Sequence, residues 1–385
     1  MLALTAKALY TPVEKIERPL VVVDGGTIVK MGPQAATGAP PKCQVRDFGD
    51  AILFPGLMDV HTHGAAGFDV MQADASELGK IQTFIARHGV TSYFPSTVSA
   101  PMDSTLRALE RLADAVELAN NGGGQGAQPL GIHLEGPFLS HERRGMHPAQ
   151  DLLKPSVGAF DKFWQAARGH IRLLTIAPEL DGALELIAEA SKRGVTVSIG
   201  HSDADLDQAR KGIAAGARHA THTCNAMRPF DHREPGIIGE VLTNPSIAAE
   251  IIVDGVHLHS ETVQIITRAK GVEGTVLITD ATAATGMPDG KYMLGEVEIE
   301  VKDGMCTHKG TLAGSVLTLD RAVRNVMSFA QWDLQTAVRA ATLNPAKTAG
   351  VKNKGLLQAG ADADFVVMNA GGEVQATIIK GAVLE

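Results

Sequence analysis

The chain has 385 residues, of which 44% are hydrophobic and 20% charged, a composition typical of a globular protein with room for one large domain and a small one. The formal net charge of −8 argues against nucleic acids and anionic membranes as partners, because both are bound by basic surfaces. The three cysteines (Cys43, Cys224, Cys306) are too few and too widely spaced for a disulfide framework. With neither a charged leader nor an apolar run of roughly 20 residues, we expect a soluble cytoplasmic protein.

The N-terminal 54 residues contain short β-like segments separated by turn signals. These segments are Leu20–Val23, Thr27–Met31 and Ala51–Phe54, with a turn at Asp24-Gly25-Gly26. Residues 1–54 have too few apolar residues for a core of their own, so they need to pack against another segment of the chain.

From about residue 55, short β-rich runs alternate with longer stretches that have helical apolar spacing. Eight strands are predicted: Leu57–His63, Thr91–Ser96, Leu130–Glu135, Arg172–Ala177, Val195–His201, His219–Thr223, Ala248–Val253 and Val276–Asp280. Helices are predicted at Ala75–His88, Met102–Asn120, Gly182–Arg193, Asp203–Ala215 and Glu261–Lys270. Alternation of this kind indicates parallel pairing, and eight strands close a (β/α)8 TIM-like barrel. An open doubly wound sheet is the alternative, but no Gly-rich phosphate loop follows the first strand.

The C-terminal residues again contain strand-like segments, Asp364–Met368 and Val374–Ile379. We therefore expect residues 1–54 and 345–385 to pair into a second, small β-sandwich domain built from both termini. Residues 55–344 are expected to form the α/β barrel domain.

Residues that can bind a metal or transfer a proton recur at the ends of the predicted strands. They are His61, His63, Glu135, His201, His222 and Asp280. His61 and His63 stand at i and i+2, so both project from one face of a strand. The C-terminal ends of parallel strands meet at one rim of a barrel, which predicts a shared metal site there. Taken singly, each residue has an ordinary explanation: a structural histidine, a carboxylate paired with a helix end, or a cap at Asp280.

Strand parity gives expectations for the remaining candidates. His133 shares its parity with Glu135 but lies two residues deeper, so we expect it to support a ligand rather than bind the metal itself. His219 has the opposite parity to His222 and is predicted to pack outward. Cys224 is interpreted as a small buried side chain. Solvated or capping positions suffice for His88, His170 and His308.

The segment Pro55–Gly64 resembles the first-strand signature of the amidohydrolase superfamily. Other segments resemble, within that superfamily, the N-acetylglucosamine-6-phosphate deacetylase family: His133–Phe138, Gly200–Ser202, His222–Met227, Arg233–Gly236 and Thr279–Thr282. The resemblance runs over essentially the whole chain, and the Leu-Glu-Gly-Pro-Phe and Asn-Ala-Met strings are specific.

The resemblance implies a principal metal ion on Glu135, His201 and His222. Many members of the superfamily bridge two metals with a carboxylated lysine, and Glu135 occupies the corresponding strand here. Some members of the deacetylase family lack the His-x-His pair and use one metal, whereas this chain keeps His61 and His63. One or two divalent transition ions per subunit are therefore implied, with Zn expected first and Fe, Mn or Co as alternatives.

The resemblance also implies hydrolysis of N-acetyl-D-glucosamine 6-phosphate to D-glucosamine 6-phosphate and acetate, in amino-sugar catabolism and cell-wall recycling. Asp280 would be the general base and then the general acid, and His147 would bind the sugar or the acetamide carbonyl. The substrate-binding residues carried over are Met146, His147, Asn225, Ala226, Arg233, His257, Leu312, Ala313 and Gly314. Arg143 and Arg144 are expected to be solvated instead. Because Arg233 can reach across from a neighbouring subunit in the family, a homodimer or a tetramer is implied.

Other functions stay open at this point. The galactosamine-6-phosphate epimer differs from the expected substrate at one hydroxyl, and the sequence does not distinguish the two. A cyclic-amide hydrolase or a deaminase on the same barrel fits less well with the phosphate-binding set around Asn225, Ala226 and Arg233. A non-catalytic scaffold would be expected to lose metal ligands or the base, which this chain retains.

Overall fold

The computed structural model describes all 385 residues. Its central sheet consists of eight parallel strands: Leu57–Thr62 (β1), Val90–Thr97 (β2), Ile132–Glu135 (β3), Ile171–Ile176 (β4), Thr196–Ile199 (β5), His219–Ala220 (β6), Ala248–Ile252 (β7) and Thr275–Ile278 (β8). Each strand pairs with the next one in the chain, and the short strand Gln128–Pro129 extends β3 along β2. The sheet is the nearly closed TIM-like barrel that the alternation of elements predicts.

A buried carboxylate joins the first strand of the barrel to the last. Asp59 on β1 accepts a hydrogen bond from the Thr279 hydroxyl at 2.6 Å and from the Thr279 backbone N–H at 3.3 Å. One residue further along, the Asp280 N–H donates to the His61 carbonyl at 2.9 Å. Burial raises the pKa of Asp59 to about 6. These bonds close the barrel directly beneath the predicted metal site.

Eight helices surround the barrel: Ala75–Arg87 (α1), Met102–Asn120 (α2), Val157–Ala166 (α3), Ala183–Lys192 (α4), Leu206–Ala215 (α5), Gly236–Thr243 (α6), Ser260–Lys270 (α7) and Leu319–Ala330 (α8). Shorter helices span Gln34–Thr37, Leu334–Ala340 and Leu343–Thr348, and a 3-10 turn spans Ala149–Asp151. Helix α5 begins three residues later than predicted because Asp205 forms a capping box with Gln208. Strands and helices share a core of 68 buried hydrophobic residues. No helix is both long and apolar enough to cross a membrane.

A small antiparallel sheet that the sequence analysis did not predict lies between β8 and α8. Its strands are Gly290–Leu294, Val297–Lys302, Met305–His308 and Thr311–Leu312. The sheet is held at the mouth of the barrel by Asp69, which belongs to the hairpin of Gly64–Ala65 and Phe68–Asp69 after β1 and accepts a hydrogen bond from the Gly295 N–H at 2.9 Å. It therefore forms part of the wall of the barrel mouth.

The two termini meet in two sheets beside the barrel. A four-stranded sheet contains Leu2–Thr5, Pro19–Asp24, Thr27–Pro33 and Gln44–Asp47. A six-stranded sheet contains Ala8–Tyr10, Lys15–Glu17, Ile52–Pro55, Phe365–Met368, Val374–Ile379 and Ala382–Leu384. Strand Ile52–Pro55 pairs antiparallel with Phe365–Met368, and one cluster of 16 buried hydrophobic residues draws on both ends of the chain. The exact extent of this small domain, residues 1–54 with 345–385, stays a prediction.

Candidate active site

The residues predicted at the strand ends come together at the C-terminal rim of the barrel, where Glu135 stands at the centre. Its Oε2 lies 3.4 Å from His61 Nε2 and 3.2 Å from His63 Nε2. Its Oε1 lies 3.2 Å from the Nε2 atoms of both His201 and His222. The carboxylate thus separates two adjacent clusters of ligand atoms, and the Asp280 Oδ1 adds to the first one at 3.1 Å from His63 Nε2.

Three of these side chains reach the rim through an unusual backbone conformation. His201, His222 and Asp280 follow β5, β6 and β8 by two residues, and their φ angles are 45°, 26° and 52°. Positive φ is uncommon outside glycine, and such residues cluster at functional sites, where each costs of order 1–3 kcal/mol. Ser198 and Thr221 point into the barrel and share a hydrogen bond of 2.6 Å. Because side chains alternate along an extended strand, His201 and His222 would then point out of the barrel. The left-handed backbone conformation at these two residues turns their side chains back over the barrel mouth.

The prediction that His219 packs outward is wrong. Its side chain is fully buried inside the barrel, with Nδ1 3.4 Å from the Glu250 Oε1. The prediction takes the inward direction of His222 and alternates side chains back along the strand to His219. The positive φ of His222 interrupts that alternation, so the two residues do not follow it. His133 also points inward, and its ring packs edge-on against His61 with the ring centroids 4.5 Å apart. Its two nitrogens contact the hydroxyls of Ser96 and Thr175, so neither nitrogen faces the metal-binding clusters.

Hydrogen bonds on the far side of each ring fix the tautomers of the histidines at the rim. A carbonyl or carboxylate oxygen can only accept, so the Nδ1 atom that contacts it carries the hydrogen. The contacts are His201 with the Arg143 carbonyl (3.0 Å), His222 with the Asn225 carbonyl (3.2 Å), His63 with the Ser96 carbonyl (3.0 Å) and His61 with the Glu250 carboxylate (3.2 Å). In the neutral ring that keeps this contact, each Nε2 atom offers a lone pair to the clusters around Glu135. This is the arrangement that a histidine needs in order to bind a metal.

The donor geometry fits a divalent transition ion. The Nε2 atoms of His201 and His222 are 3.0 Å apart, and those of His61 and His63 are 3.2 Å apart. Two ligands of a tetrahedral ion with bonds of roughly 2.0–2.1 Å stand about 3.3 Å apart. Burial alone would lower the pKa of His63, but Asp280 and Glu135 raise it to about 9. The carboxylates thus favour positive charge at this position, which a bound metal ion would supply in place of the ring proton.

His147 stands in the opposite tautomer. Its Nδ1 accepts the backbone N–H of Ser99 at 3.1 Å, so the hydrogen of the neutral ring is on Nε2. The pKa of His147 is lowered to about 3, mainly by burial and next by the neighbouring His201, which keeps the ring neutral. Although its ligand atom lies within 4.8 Å of those of Glu135 and His201, it offers an N–H rather than a lone pair. His147 is therefore suited to donate a hydrogen bond to a substrate.

A cavity of about 280 Å³ opens above the metal-binding clusters. It is lined by most of the predicted site residues: His63, Glu135, Met146, His147, His201, His222, Asn225, Ala226, His257, Asp280, Leu312 and Gly314. His61 is buried beneath the cavity and Ala313 behind its wall. Arg233 is exposed and does not line the cavity of its own chain. A larger groove of about 680 Å³ lies between α1 and α2, and it contains none of the predicted site residues.

Hydrogen-bond donors are available at one side of the cavity. The Asn225 side-chain nitrogen is buried without a partner, and the Ala226 N–H donates to no protein atom. His257 is held nearby by Asp254, whose Oδ2 lies 2.7 Å from its Nδ1, so the ring can donate a second hydrogen bond, from Nε2, only when it is protonated. Such a set of donors is suited to an anionic group.

The expectation that Arg143 is simply solvated is wrong. Arg143 lines the cavity, and its Nε donates to the Asp203 carboxylate at 2.7 Å. Asp203 also accepts from Arg228 at 2.9 Å, so it links the loop after β3 to the loop after β6. The Arg143 carbonyl orients the His201 ring, so this ion pair supports a predicted metal ligand. Arg144 is exposed, as expected.

The segment that closes over Asp280 requires glycine at position 314. Gly314 has φ of 63°, and a Cβ atom there would lie 2.5 Å from the Thr282 methyl and 2.9 Å from the Asp280 carbonyl oxygen. The next residue, Ser315, donates its N–H to the same carbonyl at 2.7 Å. The backbone of this segment therefore helps to fix Asp280.

Two residues at the site escaped the sequence analysis. Glu250 in the middle of β7 accepts hydrogen bonds from His61 and from the His222 backbone, and Ser99 sets the tautomer of His147. A glutamate inside the otherwise apolar run Ala248–Ile252 was a visible signal, because isolated charges are rare in barrel interiors. Nothing in the sequence around Ser99 indicates its role.

Comparison with known proteins gives a consistent result. Residues 52–384 match the family described as "Amidohydrolase family". The chain is 39% identical over 352 residues to the N-acetylglucosamine-6-phosphate deacetylase of Bos taurus, covering 87% of this chain and 84% of that relative. It is 35% identical over 376 residues to the enzyme of the same name from Bacillus subtilis (strain 168), covering 97% and 94%.

Among solved structures, the chain is similar to an N-acetyl-D-glucosamine-6-phosphate deacetylase variant from Mycobacterium smegmatis, determined in complex with N-acetyl-D-glucosamine-6-phosphate. The TM-score is 0.92 at 36% sequence identity, and the match covers 99% of this chain and 98% of that one. A prolidase-like protein from Bifidobacterium longum, at 18% identity and a TM-score of 0.66, shares the fold alone.

Proposed function

This chain belongs to the amidohydrolase family and groups with its N-acetylglucosamine-6-phosphate deacetylases, and on that premise we propose that it hydrolyses the acetamide of N-acetyl-D-glucosamine 6-phosphate. The products would be D-glucosamine 6-phosphate and acetate. The observation that carries the proposal is the set of groups around one cavity. The candidate metal ligands, Asp280 and the His147 N–H lie at its base, and the unpaired Asn225 side-chain nitrogen lies at its side.

We propose that Glu135, His201 and His222 hold one divalent ion and that His61 and His63, with Glu135 and Asp280 beside them, can hold a second. Zn is the ion we expect first, and imidazole with carboxylate also accepts Fe, Mn or Co. A bound ion of this kind supplies Lewis acidity, which makes water a stronger acid and polarises the acetyl carbonyl.

The residues of the chain then move the protons. Burial would raise the pKa of Asp280, but the positive charge of protonated His61 and His63 lowers it. A metal ion held by these rings would supply the same positive charge, so the carboxylate stays ionised and can accept a proton from the attacking water. Asp280 next delivers that proton to the departing sugar nitrogen. His147 donates its Nε2 hydrogen to the carbonyl oxygen, where negative charge develops in the transition state.

For the phosphate we propose Asn225, the Ala226 N–H and, in its protonated form, His257 as donors within one chain. Arg233 is exposed, so its proposed contact with the phosphate requires that it be supplied by a neighbouring subunit of a homodimer or larger assembly. Met146, Leu312 and Gly314 would border the sugar. A cytoplasmic location, in keeping with three unpaired cysteines, stays a prediction.

Acetate release tests this function. The purified protein, loaded separately with Zn, Fe, Mn and Co, would be assayed with the 6-phosphates of N-acetylglucosamine and N-acetylgalactosamine and with unphosphorylated N-acetylglucosamine. We expect the glucosamine epimer to be preferred and the unphosphorylated sugar to be poor. Preference for the galactosamine epimer would transfer the proposal to that substrate, and no acetate from any of them would refute it.

The role of Asp280 has its own test. Asp280→Asn keeps the size of the side chain but removes the base, so kcat should fall about 10²–10⁴-fold. Elemental mass spectrometry should find the metal content retained at the Glu135, His201 and His222 cluster. Turnover close to that of the parent protein would exclude Asp280 as the base.

A further inference from the structure

Glu250 is a buried acidic residue inside the barrel that the proposed mechanism does not use. It lies in the middle of β7 with no exposed surface, and its neighbours are His61, His219 and the backbone of His222. Burying a carboxylate costs several kcal/mol unless it is well paired. Its position therefore needs an explanation in terms of those partners.

The contacts of Glu250 join the two metal-binding clusters. Its Oε2 lies 3.2 Å from the His61 Nδ1 and 3.2 Å from the His222 backbone nitrogen. Since the carboxylate can only accept, it keeps a hydrogen on the His61 Nδ1, so that Nε2 is the nitrogen available to a metal ion. The His61 Nε2 is directed towards the clusters and lies 3.4 Å from the Glu135 Oε2.

His61 differs from the other histidines at the rim in what holds it. His63, His201 and His222 each donate Nδ1–H to a backbone carbonyl, which no side-chain substitution at the partner position removes. His61 alone donates to a side chain. The structure therefore makes the orientation of one ring depend on one carboxylate.

From these contacts we infer that Glu250 is the positioning residue for His61: it fixes the tautomer and the ring orientation that allow His61 and His63 to hold a metal ion. This inference rests on the proposed metal-dependent function. Carboxylates that orient a metal-binding histidine typically affect metal affinity by about 10–100-fold. Glu250 does not line the cavity, so we expect its effect to pass through the His61 ring.

The experiment measures binding of cobalt to the metal-free protein by the visible absorption of Co²⁺. Glu250→Leu removes the acceptor at similar volume, and Glu250→Gln keeps an oxygen acceptor without the charge. Glu240→Gln is the matched control. Glu240 on α6 is also buried, but it pairs with Arg210 on α5 and with Asn244 just after α6 and does not line the cavity. Thermal unfolding of each variant would verify the fold.

We expect Glu250→Leu to lower the cobalt affinity of one binding isotherm about 10–100-fold and Glu250→Gln to lower it less. The Glu240→Gln control should leave that affinity unchanged. His61→Ala should abolish the same isotherm. In the His61→Ala background, Glu250→Leu should then alter the remaining isotherm by less than about threefold, because the ring through which it acts is gone.

Two results would overturn the inference. One is wild-type cobalt binding in Glu250→Leu. The other is an equal loss with and without His61, which would mean that Glu250 acts through the backbone of His222. If the unmodified protein binds cobalt in two isotherms yet releases no acetate, the proposed substrate fails while the role of Glu250 stands. If it binds no cobalt at all, both proposals fail.

Discussion

His147 offers the sharpest test of how the site works, because the structure assigns its tautomer. The Ser99 N–H occupies Nδ1, so the ring can give only an Nε2 hydrogen to the cavity. If this hydrogen bonds the developing oxyanion, removing it should cost what an oxyanion donor is worth, about 2.7–4 kcal/mol or 10²–10³-fold in kcat. His147→Leu is the variant that removes the donor, and His147→Gln restores an N–H and should recover part of the rate.

Steady-state acetate release gives kcat and KM for both variants, and elemental analysis gives their metal content. We expect kcat to fall with little change in KM, because the donor interacts with charge that exists mainly in the transition state. Metal content should stay at the wild-type level. Loss of metal in His147→Leu would show that the ring is a ligand, and a kcat within about tenfold of wild type would show that it is not the oxyanion donor.

Three further predictions address other parts of the molecule. Gly314→Ala should lower kcat by at least about tenfold and also lower the melting temperature. The new methyl group would press on the Asp280 carbonyl oxygen, and alanine is strained at the positive φ of position 314. A wild-type rate would show that this segment does not fix the base. Burial would raise the pKa of Asp320, but His88, then Thr318 and then Arg324 lower it to about 2. Its contribution of about 2 kcal/mol to stability is therefore fully present above roughly pH 4 and is lost as the pH falls through about 2. Asp320→Asn should therefore be less stable than wild type in urea unfolding at pH 7, with a gap that narrows below pH 4; an equal gap at pH 7 and pH 2 would contradict this. Arg233→Ala should raise KM for the phosphorylated sugar far more than for the unphosphorylated one, and equal changes would remove Arg233 from the phosphate site.

The barrel and the identity of the residues at its rim could be predicted because they depend on local patterns. Alternating β-rich and helical runs fix the strand order, and each predicted barrel strand overlaps an observed one. The metal-capable residues follow from the rule that parallel strands end at one rim. The helix Met102–Asn120 was predicted to the residue, since its apolar spacing is regular.

The errors have a common physical origin in backbone conformation and long-range contact. His219 was placed outward because strand parity assumes an extended backbone, and the positive φ at His222 violates that assumption. Arg143 was expected to be solvated because its partner, Asp203, lies 60 positions away in the chain. The antiparallel sheet of residues 290–312 was missed because its strands are short and partly exposed.

The amino-acid sequence by itself determined which side chains are available and the barrel that gathers them, because hydrophobic periodicity and residue identity are local properties. Tertiary structure decided which nitrogen of each ring carries the hydrogen, since that depends on the carbonyl, carboxylate or N–H that the fold brings to the far side of the ring. The same histidine side chain is thus suited to bind a metal ion through Nε2 at position 201 and to donate a hydrogen bond from Nε2 at position 147. The difference lies in what contacts Nδ1, the carbonyl of Arg143 in one case and the N–H and hydroxyl of Ser99 in the other.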